Sequence, residues 1–77
     1  MIEWFVTWNR PEYKEWAIKT RGGYRLLIID KESDGFLCVR ARLLMQKKGL
    51  PRFVTDEEIR VASYFEALKQ IRGWREG

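Results

Sequence analysis

Histidine is absent from the 77 residues and cysteine occurs once, at Cys38. Together these exclude a His–Cys zinc site, a Ser–His or Cys–His nucleophile pair and an internal disulfide. Long apolar runs are missing too. Stretches such as Leu26 to Ile29 and Leu43 to Gln46 fall far short of the ~20 residues a membrane span needs. Glu3, Arg10, Glu12 and Lys14 interrupt any signal-peptide-like apolar stretch at the start. With two Pro, six Gly, no repeat and no low-complexity tract, residues 1–77 are expected to form a single compact domain. A lone Cys fits a reducing cytoplasm, the expected location.

Cofactor chemistry finds little to use. Gly22-Gly23 lacks the pattern of a phosphate-cradling loop and reads as a turn. Asp30, Glu32 and Asp34 sit in one loop but lack the length and closing Glu of a calcium hand. No metal or cofactor is therefore expected. Cys38, among apolar neighbours, reads as a small buried hydrophobe. The one enzyme class left open is a His-free ribonuclease in which Tyr24, Arg25, Arg40 and Arg42 supply charge to a phosphate-transfer transition state, and a non-enzymatic role is expected instead.

The residues present pattern clearly. Ile2, Trp4, Val6 and Trp8 alternate with Glu3, Phe5 and Thr7, the period of a strand. Pro11 breaks the pattern. Tyr13 to Thr20 alternates again, and Arg21-Gly22-Gly23 offers the positive φ of a hairpin turn. Tyr24 to Asp30 is apolar on both faces at Leu26 to Ile29, as in a central strand. Beyond the loop ending at Gly35, Leu37, Val39, Ala41 and Leu43 share one face, and Phe36, Cys38, Arg40 and Arg42 the other. Thr55-Asp56-Glu57-Glu58 has the spacing of a capping box, which places a helix start there. The expected fold is α+β: an antiparallel meander of three or four strands (about 2–8, 13–20, 24–30 and 36–45), with one C-terminal helix (about 56–73) packed on one face. Gly73 is expected to fray or end that helix. The covered face is expected to be the Leu37–Leu43 set, since burying unpaired arginines is prohibitive.

The charge is distributed unevenly. Fifteen Lys and Arg stand against eleven Asp and Glu, a net +4. Residues 1–35 balance, and residues 55–77 carry one excess negative charge. Residues 36–54 hold Arg40, Arg42, Lys47, Lys48 and Arg52 with no acid. Lys and Arg that neutralise phosphates supply most non-specific affinity for nucleic acid. Arg40 and Arg42, two apart on a strand, point the same way about 7 Å from each other. Phe36, with Tyr24 or Trp16 across the ladder, would add a stacking surface for single strands. The expected function is thus a small non-catalytic module that binds DNA or RNA through Arg40, Arg42, Lys47, Lys48 and Arg52, with Phe36 and Tyr24 stacking. The alternative is a small protein-binding regulator or inhibitor, of the accessory type found in phages and mobile elements. It would dock through the aromatic edge strand carrying Trp4, Phe5 and Trp8, as a homodimer or with another protein, or set its basic patch on an acidic partner. Trp4 and Trp8 are expected to share a face, with Phe5 opposite.

Overall fold

Three two-residue turns organise most of the chain. In the computed structural model, which describes residues 3–77, Pro11-Glu12 joins β1 (Phe5–Arg10) to β2 (Tyr13–Thr20). Arg21-Gly22 joins β2 to β3 (Gly23–Glu32), and Ser33-Asp34 joins β3 to β4 (Gly35–Leu44). Gly22 has a φ of +88°, in the region that favours glycine. Gly23 is held by close approach, because a Cβ there would lie 1.9 Å from the Leu43 carbonyl oxygen. The longer connection 45–51 leads to β5 (Arg52–Val61), and α1 (Tyr64–Glu76) ends the chain. All pairings are antiparallel, in the order β1-β2-β3-β4-β5. No helix among the described residues is long and apolar enough to cross a membrane.

The α+β class and the antiparallel meander match expectation, whereas the sheet has five strands rather than three or four. Residues 52–61, expected as the first half of a helix over 56–73, form the fifth strand. Val54, Thr55, Ile59 and Val61 are β-branched and suit a pleated surface. The capping box at Thr55 is not used. The helix starts at Tyr64, three residues beyond the end of β5, and Ser63, with its extended backbone (φ −132°, ψ 158°) and its Oγ accepting from the Glu66 amide, forms a true N-cap. Ser63-Tyr64-Phe65-Glu66 has the same spacing as Thr55 to Glu58. Gly73 neither frays nor ends the helix, which runs to Glu76. The expected first strand began at Ile2, which lies outside the described residues.

The helix covers the face opposite to the expected one. Tyr64, Ala67, Leu68, Ile71 and Trp74, at i, i+3, i+4, i+7 and i+10, pack on Leu27, Ile29 and Cys38 with Phe36, Trp16 and Trp4 around them. Cys38 is fully buried there, as expected of a small hydrophobe. The objection to burying arginines does not arise, because α1 covers only the Phe36–Cys38 end of β4 and leaves the other end of that face open. The Leu37–Leu43 set faces away from the helix. Val39 and Ala41 join Ala17, Leu26 and Ile28 in a second apolar cluster, with Tyr13, Tyr24, Leu37 and Leu43 against it.

Candidate nucleic-acid interface

Strand periodicity assembles the arginines. Leu44 opposes Arg52, so Arg40, Arg42 and Arg52 all lie on the helix-side face, beyond the end of α1. From β3, Arg25 stands directly opposite Arg42. Like charges at opposed positions of an antiparallel pair are destabilising, so this pair is a local cost within the sheet. Leu27 opposes Arg40, and its burial under the helix fixes the floor beneath the guanidinium groups.

Carboxylates arrive from β5, a source that a helix over 56–73 would not supply. Glu57 opposes Arg40, and its Oε1 lies 3.0 Å from Arg40 Nη2. A bulge follows, since Arg40 pairs with Glu57 while Ala41 pairs with Thr55, leaving Asp56 unmatched. Arg42 donates from Nε to both Asp56 oxygens (3.1 and 2.9 Å) and from Nη2 to Oδ1 (2.8 Å). The hydrogen bonds, and then the charge, of Asp56 raise the Arg42 pKa further above its ordinary value. The acid-free patch of residues 36–54 is therefore partly neutralised by its neighbour strand. Arg25 has no carboxylate within salt-bridge distance among the described residues.

Two tryptophans wall this basic floor. Trp4 and Trp74 line a cleft of about 550 Å³ with Arg25, Arg40, Arg42 and Asp56. The Arg40 guanidinium lies 5.9 Å from the Trp74 ring centroid. A second cleft of about 430 Å³ shares Trp4, Arg25 and Trp74 and extends past Thr20 to Arg75. Comparison with known proteins finds no family model, no curated protein and no solved structure that matches this chain.

The remaining expected site residues divide. Lys47 and Lys48 are exposed in the 45–51 connection, at the end of the sheet where Arg52 begins β5. The Met45 amide donates to the Gly22 carbonyl (2.9 Å), tying that connection to the β2–β3 turn. Phe36 and Tyr24 do not form a stacking surface. Phe36 sits at the far end of β4, its ring centroid 5.6 Å from that of Tyr64, inside the helix-side core. Tyr24 opposes Leu43 on the other face of the sheet, so it also cannot join Arg25, Arg40 and Arg42 in the ribonuclease-like set. Trp4 and Trp8 do not share a face. A bulge between Val6 and Trp8 puts Trp8 opposite Glu15 and Phe5 opposite Ala17, both on the open side, while Trp4 packs towards the helix. β1 is exposed along its whole length at the sheet edge. Sequence reasoning missed Trp74 as a wall of the site. Its only signal was its i+3 spacing from Ile71.

Proposed function

We propose that this protein is a non-catalytic nucleic-acid-binding module, and that a single-stranded segment lies in the cleft between Trp4 and Trp74. The supporting observation is the opposed pair Arg25 and Arg42. Two guanidinium groups face one cleft with Arg40 beside them, at a cost to the sheet that a bound phosphate would reverse. Guanidinium forks match phosphate oxygens bidentately, and indole faces stack on bases of any sequence. Arg52, Lys47 and Lys48 extend positive charge along the same end of the sheet. The Asp56 and Glu57 contacts do not oppose this strongly, because exposed ion pairs contribute only about 0–1 kcal/mol. A phosphate replaces either carboxylate at small cost. A single strand is favoured over a duplex because the cleft is a recess, and among the described residues no helix or ribbon protrudes beside it to enter a groove.

Anisotropy titration of labelled single-stranded oligonucleotides tests this reading. Binding at low salt should weaken as salt rises, with a log–log slope of up to about −3 for four arginines at ~0.7 per phosphate on single strands. Arg25→Glu should abolish binding while circular dichroism stays unchanged. Asp56→Asn should tighten binding severalfold by removing the competing carboxylate. No binding to single strands or duplex at low salt would overturn the proposal.

A further inference from the structure

The sheet face away from the helix has the composition of an interior; among the described residues no second layer lies over it, and its centre is shielded only by the side chains of the face itself. β3 is apolar on both sides: Leu27 and Ile29 lie under α1, while Leu26 and Ile28 form the second cluster with Ala17, Val39 and Ala41. A strand apolar on both faces belongs between two layers, and α1 provides only one. Around that cluster, β1 contributes Phe5 and Trp8, exposed by 48% and 50%, and β5 contributes Phe53, exposed by 51%. Large apolar side chains thus flank the closed centre from both sheet edges.

The area suggests how much is left to cover. The chain exposes 5920 Å², whereas a folded monomer of 9.3 kDa exposes about 5,000 Å². The excess, about 900 Å², is of the order of the ~800 Å² each partner contributes to a standard interface, and part of it lies off this face, at Leu50 and Phe65. The charge on that face narrows the occupant. By register it carries Arg10, Lys19 and Arg60 against Glu15, Asp30, Glu32 and Glu58, with Arg60 and Glu32 paired at 3.0 Å. Four carboxylates disfavour a polyanion, and three cations interspersed with them disfavour a uniformly charged protein. A second copy offers the same exposed apolar groups, Phe5, Trp8 and Phe53, and the same mixed rim, which is what a two-fold interface requires of one surface.

We propose that two copies of this chain pack these open faces together, sheet against sheet at the usual ~10 Å spacing. The helices lie outside, and both Arg25 clefts face solvent. This differs from strand addition along β1, because the contact is made by side chains of the face and not by the backbone of the edge.

Sedimentation equilibrium over a wide concentration range reads the mass directly. The intact chain should run at twice the monomer mass, and Trp8→Glu combined with Phe53→Glu should return it to the monomer mass. Both positions are half exposed, so circular dichroism of the double variant should remain native; if it does not, Arg60→Glu, which puts a fifth carboxylate on the rim, serves as the second variant. Arg25→Glu should leave the dimer intact. A chain that is monomeric at every concentration overturns the proposal. So does a dimer that persists in the folded face variants, or one that single-stranded oligonucleotide dissociates. Oligonucleotide bound by an intact dimer supports it, and loss of oligonucleotide binding alone bears only on the cleft.

Discussion

Tyr13 shows how one side chain makes the open face sensitive to alkali. It opposes Asp30 across β2–β3, and its hydroxyl donates to Glu15 Oε1 at 2.8 Å. Partial burial raises its pKa first, and the hydrogen bond to Glu15 and the charges of Glu15 and Asp30 raise it further. A tyrosine whose pKa is higher folded than unfolded contributes stability that is fully present below its unfolded value of about 10 and is lost as pH rises through the folded value. The urea midpoint should therefore fall above about pH 10, and Tyr13→Phe should flatten that fall. An identical alkaline decline in Tyr13→Phe would refute this account. Cys38 acts in the same direction, because burial raises its thiol pKa and the thiolate is disfavoured inside. Full burial also shields it, so alkylation of the native protein should proceed only through opening.

At the scale of the element, two segments with the same capping spacing have opposite fates. Ser63 caps α1 and Thr55 lies within β5. Ser63→Ala should cost about 1 kcal/mol in urea denaturation, while Thr55→Ala on the exposed strand should stay within about 0.5 kcal/mol. The reverse ranking would refute the assigned helix start. This pair also shows what a sequence can reveal. Alternation and the glycine turn at 22–23 made β2, β3 and β4 legible, because those signals are local. β5 was not legible, because its partner is β4. As strand residues, Asp56 and Glu57 meet Arg42 and Arg40. In the linear chain, the same acids look like the favourable first turn of a helix. The site was legible in the same proportion. A period of two placed Arg40 and Arg42 on one face, but Arg52 joins them only through β5, and Arg25 only through the Ser33-Asp34 turn that sets the β3–β4 register. Trp74 required the true helix start.

For the molecule as a whole, stability is graded across the sheet. β3 and β4 are paired on both sides and supply most of the buried residues, whereas β1 is an exposed edge. Native-state hydrogen exchange should find the slowest amides in β3 and β4, and the fastest among paired strand amides in β1. Equal protection of β1 and β3 would contradict this gradient. The strand order has a further consequence. Every strand bonds only to its neighbours in the chain, and α1 packs on β3, β4 and β5, which immediately precede it. No backbone pairing waits for the two ends of the polypeptide to find each other, and only the cleft walls Trp4 and Trp74 bring them together, so little loop-closure entropy is lost before the strands pair. The sheet can assemble hairpin by hairpin in the order of synthesis, and the helix that seals its first core follows only after all five strands have been made.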